Sequence, residues 1–414
     1  MKIAVVKETY PGERRVALVP AVLNQLQRAG IQTLVEAGAG TSAGYEDDEY
    51  QEKGALIVAS RAEAFTADAV AQVRALGANP DAGSADLGLM RAGQLIMGTC
   101  DPLGNPQAIR EIANRGATLL ALELMPRITR AQTMDVLSSM ATIAGYRAVL
   151  IAAAELPKLF PLMMTAAGTI SPARVFVIGA GVAGLQAIAT SRRLGAVVQA
   201  YDVRPAVREQ VESLGAKFVE LNLEAGDAED QDGYAKTLGE DFYTQQRELL
   251  ADVVAGSDVV LTTAAIPGKP SPLLITAAAV ERMARGSVIV DLAAERGGNC
   301  ELTKADQRTV EHGVTILGPT NLPSEIPYHA SQMFSTNVAT LLLHLVQDGK
   351  LHLDMQDAIS RETTVAAGGE VTNLRIRELL GMEPIGNVAE KGAETEESLT
   401  SEAGSTGETS TKGQ

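Results

Sequence analysis

The chain has 414 residues, of which 46% are hydrophobic and 3% aromatic, so it is long enough for two or three domains with aliphatic cores. Its formal net charge of −16 disfavours nucleic acids and anionic membrane surfaces as partners, because both carry negative charge. Cys100 and Cys300 are too few for a disulfide framework, and we expect them as small buried side chains in a reducing compartment.

The first third of the chain alternates between strand and helix patterns. Strands are predicted at residues 3–6, 32–35, 95–98 and 118–121, with a short apolar run at 56–58 and helices at 20–29 and 107–115. Because residues 1–7 follow a strand pattern, we do not expect a signal peptide there. Alternation of this kind predicts a mostly parallel sheet and an α/β fold.

A polar cluster follows the strand predicted at 118–121. It comprises Arg127, Gln132, Asp135 and Ser138. An arginine, an amide and a carboxylate near a domain junction are suited to holding a carboxamide and a ribose through directed hydrogen bonds. The same residues also fit the capped start of a helix with a surface arginine, and their spacing alone does not choose between the two.

The stretch 148–170 is apolar enough to be considered as a membrane span. It contains Glu155, Pro157, Lys158 and Pro161, and charges and prolines near its middle would be costly in hydrocarbon. We therefore predict a buried helix that ends near Glu155, followed by an extended connector. No direct insertion into a membrane is expected.

A Gly-x-Gly-x-x-Gly turn is the most informative motif. It follows the β-branched run 174–178 and precedes small apolar residues at helical spacing. In a dinucleotide fold, Gly179 permits the tight turn, Gly181 lets the backbone approach a pyrophosphate, and Gly184 lets the helix pack on the strand. An ordinary glycine-rich connection between a strand and a helix is the alternative.

A second strand, at 196–201, ends at Asp202. A carboxylate at this position suits a ribose 2′-hydroxyl and would repel a 2′-phosphate. The sequence therefore favours NAD over NADP.

The remaining elements predict how the domains are arranged. Further strands are predicted at 216–219, 258–262, 287–291 and 314–317, and an apolar helix at 333–345. The position of that helix indicates that the chain returns to its first domain. We predict two Rossmann-like parallel-sheet domains, the first discontinuous (1–138 with 329–385) and the second at 139–328, with a disordered acidic C-terminal tail at 386–414.

Two further features bear on ligands. The Gly-rich, acidic segment 222–242 fits either a lid or a solvated surface insertion. The four histidines lack metal-ligand spacing, so no metal site is predicted, and His344, which lies in an apolar helix, is expected to be structural.

With these residues in view, the chain resembles the NAD(H)-binding components of proton-translocating nicotinamide nucleotide transhydrogenases. The resemblance covers about residues 1–380. It rests on Glu13-Arg14-Arg15, the segment from Arg127 to Ser138, residues 163–168, the glycine turn, Asp202-Val203-Arg204, Gly233-Tyr234, and residues 262–270 and 291–299. The segment from Arg127 to Ser138 is specific to this family, and the remainder is shared with alanine dehydrogenase.

The resemblance implies a role for each matching position. Around the nicotinamide it places Arg127, Gln132, Asp135 and Ser138, with Gln132 reaching toward the partner's nucleotide. At the pyrophosphate and the adenosine ribose it places Val182, Ala183, Gly184, Asp202, Val203 and Arg204. Gly233 and Tyr234 fall in a mobile loop that closes over NAD(H), and Ala265 and Ile266 line the cofactor slot.

The resemblance also implies partners and a reaction. It predicts a homodimer that works with an NADP(H)-binding beta subunit and membrane subunits, on the cytoplasmic face of the membrane. A hydride passes directly between two nicotinamides, so no general base is required.

Two other functions stay open. An NAD-dependent alanine or amino-acid dehydrogenase is the first, although the lysine and histidine of that family are absent from 71–80 and 96–102. Arg15 does match an arginine that binds pyruvate in those enzymes. A catalytically silent NAD-binding subunit is the second.

Overall fold

The computed structural model describes residues 1–221, 240–266 and 268–383. The described strands are Lys2–Val5 (β1), Gln32–Glu36 (β2), Leu56–Val58 (β3), Ala69–Arg74 (β4), Leu95–Thr99 (β5), Thr118–Ala121 (β6), Met163–Thr165 (β7), Gly168–Ile170 (β8), Arg174–Ile178 (β9), Val197–Tyr201 (β10), Lys217–Phe218 (β11), Val259–Thr262 (β12), Val288–Asp291 (β13), Arg308–Glu311 (β14), Val314–Leu317 (β15), Val346–Gln347 (β16), Lys350–Leu351 (β17), Thr364–Ala367 (β18) and Glu370–Val371 (β19). The described α-helices are Pro20–Arg28 (α1), Asp47–Glu52 (α2), Arg61–Ala64 (α3), Pro106–Asn114 (α4), Val136–Glu155 (α5), Val182–Arg193 (α6), Arg208–Ser213 (α7), Glu240–Ala255 (α8), Ala277–Glu281 (α9), Pro327–Leu345 (α10), Ala358–Thr363 (α11) and Leu374–Leu379 (α12).

Two large sheets share one winding pattern. The first has eight strands in the order β19-β18-β6-β5-β4-β1-β2-β3, and the second has seven in the order β11-β10-β9-β12-β13-β15-β14. The six strands β1 to β6 are parallel, and β18 and β19 extend them antiparallel at one edge. In each sheet the chain winds outward from a central strand in both directions, which is the doubly wound Rossmann order. The predicted α/β fold class is confirmed.

Both faces of each sheet are buried. In β9, Val175 and Val177 belong to one apolar layer, whereas Phe176 and Ile178 belong to the layer on the opposite face. Successive side chains of a strand point to opposite faces, so a strand buried on both sides reads as an unbroken apolar run. This is why the central strands were recognisable in the sequence.

Two long helices join the sheets. Helix α5 packs against α6 and α10, and its Ala148, Val149 and Ala152 enter the core of the second sheet. Helix α10 instead places Phe334 and Val338 in the core of the first sheet. Within the described residues α5 is the one helix whose length and apolar composition would also suit a membrane span, and these contacts make it a core helix of the fold.

Several predictions need correction. Strands β4 and β14 were missed, although β4 lies inside the first sheet between β1 and β5. The connector after α5 is not simply extended, because β7 and β8 form an antiparallel hairpin there. The helix predicted at 333–345 begins earlier, at Pro327, and α5 is only partly buried. The segment 222–239 and the tail 386–414 lie outside the described residues.

Two predictions about single side chains are confirmed. Cys100 and Cys300 are both free and buried. His344 has a structural partner, since its Nε2 lies 2.6 Å from Oδ2 of Asp357 at the start of α11.

Candidate functional site

A cavity of about 330 Å³ opens at the carboxyl ends of β9, β10 and β12. Winding of the sheet reverses between β9 and β12, and ligands of doubly wound sheets bind at such a point. The cavity is lined by Arg127, Leu137, Ser138, Ala141, Ile178, Gly179, Gly181, Val182, Ala183, Tyr201, Asp202, Val203, Arg204, Tyr243, Gln246, Thr263, Ala264, Ala265, Ile266, Pro272 and Leu274.

The glycine turn forms one wall of the cavity. Gly179 has a φ of +94°, which favours glycine. A Cβ on Gly184 would lie 1.8 Å from the carbonyl oxygen of Gly179, whereas one on Gly181 would meet nothing within 4 Å. Gly181 is the N-cap of α6, so the first N–H groups of this helix face the cavity. Such a turn fits an anionic group such as a pyrophosphate.

Asp202 stands at the end of β10, but it is not an isolated carboxylate. Its oxygens accept from the backbone N–H of Ala180 at 2.7 Å and from the backbone N–H, Nε and Nη2 of Arg204 at 2.9 Å each. Asp202 is buried, so all four carboxylate lone pairs are in use. A ribose hydroxyl must share or displace the Arg204 contacts, and the guanidinium reduces the repulsion of a 2′-phosphate that the sequence argument assumed.

A buried clamp holds the opposite wall. The Asn299 amide donates to the carbonyl oxygens of Ala264 and Pro272 at 2.8 Å each, and its oxygen accepts from the N–H of Ala264 at 3.0 Å. Asp291 accepts in turn from the N–H of Asn299 at 2.7 Å. Both side chains are fully buried, so the loop that lines the cavity has a fixed position.

A tyrosine at the cavity was missed by the sequence reasoning. Tyr201 lines the cavity at the end of β10, and its hydroxyl accepts from Nε2 of the buried Gln246 at 2.9 Å. Burial raises the pKa of Tyr201 to about 12, so the phenol is neutral at physiological pH. Nothing in the local sequence indicated that α8 would reach this strand.

The polar cluster after β6 is only partly brought to the cavity. Arg127 and Ser138 line it, together with one face of the first turn of α5. Asp135 is the N-cap of α5: its Oδ1 accepts from the N–H of Ser138 at 2.9 Å and its Oδ2 from the hydroxyl at 2.5 Å. Gln132 is exposed on the 3-10 turn Thr129–Met134 and does not line the cavity.

The other predicted residues divide into three groups. Those that line the cavity are Gly179, Gly181, Val182, Ala183, Asp202, Val203, Arg204, Ala265 and Ile266. Gly184 lies behind the lining and packs against Gly179. Gly233 and Tyr234 lie outside the described residues.

A second, polar cleft separates the two sheets. There Glu13 accepts from Nε and Nη2 of Arg15 at 2.7 Å each and from Nε of Arg74 at 3.2 Å. Burial acts to raise the pKa of Glu13, but the hydrogen bonds and charges of Arg15 and Arg74 outweigh it and hold this pKa at about 2. Arg15 also reaches Asn321, so its guanidinium is already engaged.

A buried carboxyl group lies beside this cleft. Oε1 of Glu123 accepts from the N–H groups of Cys100 and Asp101 at 2.7 Å each, and Oε2 is shielded from solvent. Burial raises the pKa of Glu123 from 4.5 to about 7. Because the folded chain holds a proton that the unfolded chain releases, the stability this group provides is lost as pH rises through that window.

Comparisons with known proteins agree with this geometry. Residues 4–144 match the family profile "Alanine dehydrogenase/PNT, N-terminal domain" and residues 148–374 match "Alanine dehydrogenase/PNT, C-terminal domain". The chain is 46% identical over 377 residues to an NAD(P) transhydrogenase subunit alpha chain of Rhodospirillum rubrum, covering 90% of this chain and 98% of that protein. It is 29% identical over 410 residues to alanine dehydrogenase of Bacillus subtilis, covering 96% of this chain and 99% of the other.

A solved structure shares the fold. The crystal structure of transhydrogenase from Sinorhizobium meliloti superimposes with a TM-score of 0.78 and 42% identity, over 90% of this chain and 99% of that one.

Proposed function

This chain belongs to the alanine dehydrogenase/PNT family, and we propose that it is the NAD(H)-binding alpha component of a proton-translocating transhydrogenase. In this proposal a hydride passes directly from NADH on this chain to NADP+ on a partner component, and membrane subunits couple the transfer to proton movement. One observation carries the proposal: Arg127 and Ser138, from the segment specific to that family, line the same cavity as the glycine turn.

The residues that would hold the cofactor follow the cavity. Gly179, Gly181, Val182, Ala183 and Gly184 would form the pyrophosphate cradle at the start of α6. Asp202, Val203 and Arg204 would contact the adenosine ribose, Ala265 and Ile266 would line the slot, and Gly233 and Tyr234 would close over it. Bound NAD(H) would supply the hydride.

The chain's own chemical task would be positioning. Transfer between two nicotinamides takes no proton from a substrate oxygen or nitrogen, so the protein must orient a ring and exclude water. Arg127 and Ser138 would orient the nicotinamide end, with Asp135 fixing Ser138 through their 2.5 Å hydrogen bond. Gln132, which is exposed, would reach toward the partner's nucleotide.

An amino-acid dehydrogenase is the alternative. The polar cleft is where such an enzyme would need a free cation for a substrate carboxylate. Arg15 is bound there by Glu13 and Asn321, and Arg74 also contacts Glu13. A small carboxylate must therefore displace a buried ion pair, which disfavours this function.

The wider organisation belongs to the same proposal. We assign residues 1–138 with 329–385 to one domain and 139–328 to the second, a division supported by the pairing of β18 with β6. The complex would contain a dimer of this chain, an NADP(H)-binding beta subunit and membrane subunits. This chain would be peripheral on the cytoplasmic face of the membrane.

The deciding experiment mixes the purified chain with an NADP(H)-binding component. Hydride exchange is followed between NADPH and an NAD+ analogue whose reduced form absorbs at a different wavelength. We expect transfer that needs both proteins, and no oxidation of NADH by pyruvate and ammonia. Tight NADH binding without transfer would identify a silent nucleotide-binding subunit, and activity with pyruvate and ammonia would identify an amino-acid dehydrogenase.

A further inference from the structure

The 3-10 turn Thr129–Met134, which carries Gln132, rests on helix α10. Ala131 and Met134 are buried beneath the turn, in the same apolar layer as Phe334 and Val338 of α10. Inside the turn the hydrogen bonding is weak at its end, since the N–H of Asp135 lies 3.4 Å from the carbonyl oxygen of Gln132. Contacts from outside the turn must therefore help to fix it.

One such contact is made by Asn337, in the middle of α10. Its Nδ2 donates to the carbonyl oxygen of Thr133 at 2.8 Å, and the residue is 6% exposed. Its Oδ1 is buried and has no hydrogen-bond partner among the described residues. An unsatisfied buried polar atom costs ~1–3 kcal/mol, and a leucine would fit the size of this position without that cost. A polar residue kept against local stability is expected where function requires it.

A second contact lies on the other side of Gln132. Arg130 forms an ion pair with Asp357, and Asp357 also contacts His344 of α10 at 2.6 Å. Gln132 is thus flanked by two attachments, at Arg130 and at Thr133. Both lead to the part of the chain that returns to the first sheet.

We propose that Asn337 is a positioning residue for hydride transfer, acting through the carbonyl of Thr133 on the turn that carries Gln132. The inference rests on the proposed function. Rates of transfer between oriented groups depend steeply on geometry, so a displacement of about 1 Å can cost ~100-fold. Asn337 does not line the nucleotide cavity, so its loss should leave NADH binding nearly intact.

The test replaces Asn337 with leucine. For Asn337→Leu we expect NADH affinity within about threefold of wild type, single-turnover transfer to the NADP(H)-binding component reduced about tenfold, and a thermal midpoint equal to or above wild type. Faster amide hydrogen exchange is expected at residues 129–135. Asp357→Asn, which keeps the helix cap but removes the charge, should slow transfer less.

Ser335→Ala is the matched control on the same helix. The Ser335 hydroxyl accepts from the N–H of Val19, on the far side of α10 from the turn, at 2.9 Å. We expect this variant to lower the thermal midpoint and leave the transfer rate unchanged.

The possible failures can be told apart. Wild-type transfer together with a wild-type rate and exchange pattern in Asn337→Leu would overturn the inference and leave the proposed function standing. If the wild-type chain transfers no hydride, the proposed function fails and the assignment to hydride transfer fails with it. The exchange measurement then decides whether Asn337 restrains the turn.

Discussion

Replacing two glycines of the same turn with alanine should have opposite effects. A Cβ on Gly184 would lie 1.8 Å from the carbonyl oxygen of Gly179 and 2.9 Å from its carbonyl carbon. Real Cβ contacts essentially never fall below 3.0 Å, so α6 must move away from β9 by about 1.2 Å. At Gly181 nothing lies within 4 Å, and its φ of −74° suits any residue.

The magnitudes follow from this difference. Overpacking against backbone typically costs ~1–3 kcal/mol, and Gly184→Ala falls at the upper end because no flexible side chain can yield. At ~2–4 °C per kcal/mol for a domain of this size, we expect a fall of ~6–12 °C in the melting temperature. Gly181→Ala should melt like the wild type but weaken NADH binding about tenfold or more, ~1.4 kcal/mol, because the methyl group would stand where the pyrophosphate approaches.

Thermal unfolding followed by circular dichroism and NADH titration by calorimetry measure the two effects. Gly184→Ala must be titrated below its melting temperature, so that lost binding is not confused with unfolding. NADH binding to Gly181→Ala with wild-type affinity would refute the pyrophosphate cradle. A wild-type melting temperature for Gly184→Ala would refute the close packing of α6 on β9.

Three further substitutions separate the other roles. Gln132→Asn shortens the side chain by one methylene, and we expect transfer to the NADP(H)-binding component to fall about tenfold, ~1.4 kcal/mol, with NADH affinity changed only a few-fold; loss of affinity with single-turnover transfer intact would contradict this. Asp202→Asn should narrow the preference for NADH over NADPH about fivefold, ~1 kcal/mol, by calorimetry, and equal binding of both nucleotides by the wild type would disprove the selectivity argument. Glu123→Gln keeps the Oε1 hydrogen bonds and removes the titration, so its stability relative to the wild type should rise by up to about 3 kcal/mol from pH 5 to pH 8; a pH-independent difference in denaturant unfolding would show that the pKa is not raised.

The fold was predictable because its central strands are buried on both faces. Unbroken apolar runs such as those in β9 and β12 are visible in one sequence, and the glycine turn fixes the direction of the chain after β9. Strand β4 was missed because Ala69, Ala71 and Gln72 weaken its apolar pattern. Strands β18 and β19 are short and gain their identity only by pairing with β6, a contact between residues far apart in sequence.

The site was less predictable, since its details depend on side chains from distant segments. Position and residue type placed Asp202 at the end of β10, but nothing in spacing showed that Arg204 would occupy its carboxylate. Asn299 and Gln246 also reach the cavity wall through tertiary packing alone. Local patterns therefore identify the cradle, whereas the charges and clamps around it need the folded chain.

The discontinuous first sheet also has a consequence for the reaction. Helix α5 starts directly after the turn that carries Gln132 and packs on the second sheet, whereas α10 lies under the same turn and packs on the first. The position of Gln132 is therefore set by both sheets at once, whereas the glycine turn belongs to the second sheet alone. If Gln132 meets the partner's nucleotide as proposed, small changes in the angle between the sheets would alter the transfer geometry while leaving the pyrophosphate cradle intact. Rate and nucleotide affinity are then separable properties of this chain, because different parts of the fold determine them.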